Sequence, residues 1–246
     1  MTSPATAAFI IIGNELLSGK IADENLVVLA RTLRRCGTVL DRVVMVPDDR
    51  ATIAREVAQL SSSRDVVFTS GGIGPTHDDV TIDAVAEAFG AQLERSPELE
   101  ALLRAYYRER ITDDHLLMTR VPVGARLVAT PEMPWPTVVM KNVWVLPGIP
   151  EIFAMKMPVV LAELGGGRAF VSVALHTMLD EGHLKAMLDR VVASHPEVEV
   201  GSYPKWRDPR YRTKITFDCR DADAAHRARD ALAALLPASE LVDVEE

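Results

Sequence analysis

Cysteine is nearly absent from this 246-residue chain: Cys36 and Cys219 stand far apart, with no neighbouring cysteine or histidine. That excludes a disulfide framework and a cysteine-built metal site, so both read as ordinary reduced thiols. Basic charge is also short. Against 35 Asp and Glu there are 27 Lys and Arg, a formal net charge of −8, which leaves no broad basic face for a nucleic-acid backbone. Nucleic acid is therefore not expected as a partner. Long apolar runs are missing too: Ala7 to Ile12 is far too short to span a bilayer, and neither a basic lead-in nor a cleavage pattern surrounds it. The expectation is a cytoplasmic protein with no membrane partner. No internal repeat or low-complexity tract appears, and the length suffices for one large or two modest domains.

What is present is a regular alternation of strand and helix patterns. Ala7 to Ile12 reads as a buried strand, followed by a turn through Gly13-Asn14-Glu15 and a helix from about Asp23 with Leu26, Leu29, Ala30 and Leu33 on one face. Gly37 stops that helix. Thr38 to Val46 reads as a second strand ending in Pro47-Asp48-Asp49, whose aspartates can cap a helix carrying Ile53, Val57 and Leu60. Val66 to Phe68 is a third, and Ile82, Val85, Ala86 and Phe89 form the apolar face of the next helix. This order is that of a doubly wound, mostly parallel α/β sheet.

Ser96-Pro97 opens a helix to about Arg110, in which Tyr106 and Tyr107 read as packing residues rather than a stacking platform. A further short helix lies within Thr112 to Arg120. Thr137 to Met140 and Val143 to Leu146 read as strands across a Lys141-Asn142 turn. A helix follows with Ile152, Met155 and Val159 or Val160 inward, and Met155 and Met157 as core filler. Gly165-Gly166-Gly167 reads as a flexible domain boundary, giving domains 1–164 and 168–246. The second has the βαββαβ order of a small α+β, ferredoxin-like domain.

The most informative stretch is Thr69-Ser70-Gly71-Gly72-Ile73-Gly74-Pro75-Thr76-His77-Asp78-Asp79-Val80-Thr81. Three glycines permit positive φ and close approach of N–H groups to a ligand, and the helix beyond offers its positive end, so the spacing predicts a phosphate site. Asp78 and Asp79, read as the helix opening, would repel that phosphate. Two readings fit: the acids cap the helix, or a divalent cation of the magnesium type sits between them and the phosphate oxygens. In an open parallel sheet, ligands bind beyond the carboxyl ends of the strands. Gly13-Asn14-Glu15, Asp48-Asp49, Gly71 to Asp79 and Pro147-Gly148-Ile149-Pro150-Glu151 converge there.

The loop lacks both the Walker A ending and the Gly-x-Gly-x-x-Gly spacing. It resembles instead the signature of the molybdopterin-binding (MoaB/Mog-like) fold family, within it the CinA branch and the N-terminal domain of eukaryotic FAD synthases. Gly13-Asn14-Glu15-Leu16-Leu17-Ser18-Gly19-Lys20, Val46-Pro47-Asp48-Asp49 and Leu146-Pro147-Gly148-Ile149-Pro150 look like motifs of the same family. Glu181-Gly182-His183 and Gly201-Ser202-Tyr203-Pro204 look like its small second domain.

The resemblance implies a small-molecule nucleotide or pterin ligand and metal-dependent chemistry at a phosphate. Its most concrete form is a nucleotide pyrophosphatase cleaving ADP-ribose or FAD with Mg, Mn or Co. Alternatives are adenylylation of molybdopterin and a binder without turnover. By motif position it implies Asp79, Asp48 and Asp78 as catalytic residues, with Asp79 and Asp78 on the metal. Gly71, Gly72, Gly74, Pro75, Thr76, Gly13, Asn14, Glu15, Pro147 and Gly148 would bind phosphate or nucleotide. Relatives of the fold imply a homo-oligomer, dimer or trimer. One departure is visible: where the family usually has Gly-Asp-Glu, this chain has Gly13-Asn14-Glu15, and Asn14 adds no charge to hold a cation. The basic, aromatic segment Tyr203 to Lys214 reads either as a nucleotide clamp or as a solvated loop between strands.

Overall fold

The computed structural model describes residues 5–245. The readings at Met1 to Pro4 and at Glu246 lie outside the described residues. The chain divides into two units, one running to Gly167 and the other beginning at Arg168.

In the first unit, β1 (Thr6–Ile12) leads through the short α1 (Asn14–Leu17) to α2 (Asn25–Cys36), β2 (Val39–Val46), α3 (Arg50–Ser61), β3 (Val66–Ser70) and α4 (Thr81–Ala88). An excursion follows: β4 (Leu93–Arg95), α5 (Pro97–Tyr107), α6 (Asp113–Leu117) and β5 (Arg120–Pro122), with β4 and β5 forming their own antiparallel pair. The chain returns through β6 (Arg126–Thr130), β7 (Met133–Met140), β8 (Val143–Leu146) and α7 (Pro150–Leu164). The main sheet has the order β2-β1-β3-β8-β7-β6; the first four strands are parallel, β7 runs against them, and β6 pairs antiparallel with β7 and so runs with the first four.

Alternation along the strands sorts the core into two layers. Phe9, Ile11, Phe68, Trp144 and Leu146 face α2 and α7, where Leu29, Leu33, Phe153 and Val160 meet them. Ile10, Ile12, Val67, Val143 and Val145 face the other way, onto Ile53 and Val57 of α3 and Ala84 and Val85 of α4. The helix ends follow their sequence signals. The Asp49 carboxylate accepts the Thr52 N–H at 2.8 Å, Ser96 accepts from Leu99 at 3.2 Å ahead of Pro97, and Gly37 turns left-handed at φ 70°.

Four readings of the sequence need correction. First, α4 begins at Thr81, so Asp78 and Asp79 precede the helix instead of opening it. Second, α7 presents Phe153, Lys156, Met157, Val159 and Val160 inward, while Ile152 and Met155 are exposed, because an almost wholly apolar helix gives no periodicity from which to choose a face. Third, Tyr106 is 68% exposed and is not a packing residue. Fourth, Gly167 lies where a Cβ would stand 2.1 Å from the Cys36 carbonyl oxygen, so close packing against the end of α2, and not flexibility, requires glycine there. The short strands β4, β5 and β6 had no visible pattern.

The second unit is β9 (Val171–Thr177), α8 (Glu181–Ser194), β10 (Glu199–Pro204), β11 (Thr213–Cys219), α9 (Ala222–Ala233) and β12 (Leu241–Glu245). Its antiparallel sheet has the order β10-β11-β9-β12, the βαββαβ arrangement read from the sequence. Val173, Leu175, Ile215 and Phe217 pack on Leu184, Val191, Ala228 and Leu232. Among the described residues, no helix is long and apolar enough to cross a membrane.

The corrected face of α7 has a direct test. Phe153→Ala should cost about 3–5 kcal/mol in urea unfolding, whereas Ile152→Ala should cost below about 1 kcal/mol.

Candidate functional site

The parallel strands end beside one another, and glycine governs how closely. A Cβ on Gly71, which has φ 104°, would stand 2.3 Å from the Ile12 carbonyl oxygen at the end of β1. One on Gly148, just past β8, would stand 3.1 Å from the Gly71 Cα. Three strand ends are thereby drawn together, and beyond them opens a cavity of about 1000 Å³. Gly72, at φ 66°, would place a Cβ 2.4 Å from Thr81 Oγ1. Thr81 ties the loop to α4: its hydroxyl donates to the Gly71 carbonyl at 2.8 Å, and its N–H donates to the Gly72 carbonyl at 3.0 Å. Gly71 and Gly72 are therefore required by the protein's own packing, a reason separate from ligand approach.

The acids lie further along the loop. Thr76 N–H donates to Asp79 Oδ2 at 2.8 Å, and the Thr76 hydroxyl lies 2.5 Å from Asp79 Oδ2 and 2.6 Å from Asp78 Oδ1. One hydroxyl proton serves one carboxylate at a time, so the two acids share this donor. The Thr76 hydrogen bond holds the Asp78 carboxyl below the usual carboxylate range. Gly74 makes room for the arrangement: a Cβ there would stand 2.6 Å from Asp79 Oδ2. His77, its side chain 97% exposed, lies 4.0 Å from Asp78 Oδ1. Asp48, at the end of β2, accepts the Asn14 N–H at 2.8 Å.

Glu15, Asp48, Gly71, Gly72, Gly74, Pro75, Thr76, Asp78, Asp79, Pro147 and Gly148 all line the cavity. Gly13 and Asn14 support it from below through backbone bonds to Val46 and Asp48. The donor set around Thr76 is hard oxygen, which suits a magnesium-type cation. Among the described residues no group of three or more His, Cys, Asp and Glu is gathered, so such a cation would complete its shell with ligand and water oxygens.

Several lining residues escaped the sequence reading. Tyr106 and Leu103 of α5 and Arg120 of β5, paired with Asp83 at 2.8 Å, form an outer wall contributed by the excursion. Asn25, the first residue of α2, is 3% exposed; its amide nitrogen donates to Ser70 Oγ and to the Gly148 carbonyl, each at 2.9 Å. Lys156 is also 3% exposed, and its ammonium donates to the Trp135 and Pro136 carbonyls. Burial pushes its pKa down to about 8. A signal was available for Lys156, a single cation within the apolar run Ile152 to Val160.

Comparison with known proteins agrees with this geometry. Residues 8–165 match the model of the probable molybdopterin binding domain, and the chain belongs to that family. Residues 169–245 match the middle domain of FAD synthase. A protein of Archaeoglobus fulgidus is 34% identical over 89% of this chain and 94% of its own length. The probable FAD synthase of Caenorhabditis briggsae is 30% identical over 94% of this chain, which spans only 49% of that relative. The solved structure of CinA from Thermoplasma acidophilum is 26% identical and superposes with a TM-score of 0.60 over 65% of this chain and 98% of that one. The resemblance drawn from the loop motif is thereby borne out: this is a CinA-like chain of the molybdopterin-binding fold.

Lys156 gives a pH test. Its folded pKa lies below the unfolded value of 10.5, so the unfolded state holds the extra proton between about pH 8 and 10.5 and stability rises with pH across that window. The burial penalty is full below pH 8. Relative to Lys156→Met, the wild-type protein should gain about 3 kcal/mol in unfolding free energy between pH 7 and pH 10.5, measured by urea titration.

Proposed function

We propose that the chain is a metal-dependent nucleotide pyrophosphatase acting on a dinucleotide such as ADP-ribose or FAD. The observation that carries the reading is the joint placement of Asp48, Asp78, Asp79 and the glycine loop on one cavity beyond the parallel strand ends. Relatives named as probable FAD synthases support an enzyme that handles nucleotides.

Within the loop, Gly72, Ile73 and Gly74 would offer backbone N–H groups to a phosphate, those of Gly71 and Thr76 being spent on the Leu146 carbonyl and on Asp79, and Asp79 and Asp78 would hold the cation. When bound, a Mg, Mn or Co ion supplies charge neutralisation at the phosphate oxygens. Asp48 orients the attacking water and takes its proton on a carboxylate oxygen. The water oxygen bonds to phosphorus as the bridging oxygen leaves, giving two phosphomonoesters. The fixed dipoles of the loop favour the charge that develops in the transition state over the ground state.

Adenylylation of molybdopterin is the sister enzyme reading, and the rival from a different class is a pterin or nucleotide binder without turnover. It draws on Asn14, which brings no carboxylate to the cavity floor, and on the two-aspartate cation set. A dimer or trimer is part of either proposal and is read by light scattering.

Incubation with ADP-ribose and FAD, each with magnesium, manganese or cobalt, should yield mononucleotide products. Asp79→Asn should lower the rate by about 100-fold or more while the protein still melts as a folded chain. Unchanged turnover in that variant would remove Asp79 from the site; tight binding without product in every mixture would favour the binder.

A further inference from the structure

The hairpin that joins β10 to β11 in the second unit is a local exception to the charge of the chain. Between Tyr203 and Lys214 five Lys and Arg stand against the single acid Asp208, while the whole chain carries a net −8. Its base is fixed: Lys205 N–H donates to the Arg212 carbonyl at 2.7 Å, Arg212 N–H to the Thr177 carbonyl of β9 at 2.9 Å, and the buried Thr213 hydroxyl to the Leu179 carbonyl at 2.7 Å. Its tip is tied as well. Asp208 accepts the Arg210 backbone N–H at 3.0 Å and grips the guanidinium through both carboxylate oxygens, at 3.0 and 2.7 Å. Arg210 is thus committed to Asp208, and Lys205, Arg207 and Arg212 are exposed beside it.

Three rings accompany these cations. Ile215 and Phe217 pack against α8 and α9, so Lys214 lies on the opposite face of the sheet, together with its register partners Tyr203 and His176. A Cβ on Gly201 would stand 2.8 Å from both Cε2 and Oη of Tyr203: the ring lies back across the sheet in the space a side chain would take, and stays 53% exposed. On the far side of Lys214, Tyr211 rests on the buried His176 ring, centroids 4.3 Å apart. Trp206, between the two tyrosines in the chain, is 93% exposed. Burying a ring is among the larger gains open to a side chain, so a tryptophan left in water amid arginines marks a contact surface.

We propose that this hairpin and the adjoining sheet face bind a single strand of nucleic acid, with bases stacked on Trp206, Tyr203 and Tyr211 and phosphates met by Lys205, Arg207 and Arg212. Rings supported by a sheet take any base by its flat face, and cations between them follow the backbone. Tyr203 and His176 are two strand spacings apart, on the order of 10 Å, with Lys214 between them. The acidity of the chain tells against a duplex, which needs a broad basic face; a few nucleotides of single strand need only this one. An acidic peptide would satisfy the charge and leave the rings bare. A bilayer would take up Trp206 alone, since Tyr203 and Tyr211 lie against the sheet.

Fluorescence anisotropy of a short labelled single-stranded RNA of mixed sequence, titrated with the full chain, tests this. Binding should weaken with salt along a log–log slope of about −2, the value for three phosphate contacts on a single strand. Trp206→Ala and Tyr203→Ala should each weaken it about tenfold, the first with an unchanged thermal melt. Arg207→Ala combined with Arg212→Ala should bring the slope to about −0.7. Absence of binding at low salt overturns the proposal, and so does affinity that survives both aromatic substitutions, which would put the strand elsewhere on the chain. Equal or tighter binding of the duplex of the same sequence, of poly-glutamate or of phosphatidylserine vesicles overturns it too, since none of these presents open base faces to the rings.

Discussion

The contact on which this architecture depends is backbone against backbone: the Gly71 Cα beneath the Ile12 carbonyl, with Gly148 closing on Gly71 from the far side. Side chains at these points would push β1, β3 and β8 apart where their carboxyl ends meet. Without that approach the segments after each strand would diverge from separate origins, and Asp48, Thr76 and Pro147 would not share one cavity. Thr81 then locks the bend by donating to the Gly71 and Gly72 carbonyls, so the loop is fixed at both ends before any ligand arrives. Such preorganisation avoids an ordering cost on binding.

The acid cluster follows from that fixed loop. Because α4 starts only at Thr81, the Asp78 and Asp79 side chains are not spent on capping its first turn and converge on Thr76 instead. Both carboxylates therefore lie on the cavity side of the loop. The cavity ends up acidic where the loop enters α4 and cationic where Lys156 is buried, with the sheet edge between them. A ligand with dissimilar ends has a defined direction in such a field.

Much of this was legible in the sequence, for identifiable reasons. Parallel strands buried on both faces read as plain apolar runs, as at Ile10 to Ile12 and Val66 to Phe68, and caps such as Asp49, Ser96 and Gly37 mark helix ends by local chemistry alone. The second unit was equally plain, because its strands and helices alternate cleanly. What could not be read depends on tertiary placement. The inward face of α7 is undetermined when Ile152, Phe153, Met155 and Met157 are all apolar. Tyr106 looks like core until α5 is placed at the cavity mouth. Asn25 looks like any residue at a helix start until Ser70 and Gly148 are brought to it, and the β3 loop acids look like helix caps until the helix is seen to begin later.

The steric origin of Gly71 and Gly72 bears on how the loop motif is to be interpreted elsewhere. Any chain that closes its strand ends this tightly must keep glycine at both positions, even one that has lost every trace of reactivity. The double glycine is thus a fingerprint of architecture and by itself carries no information about reactivity.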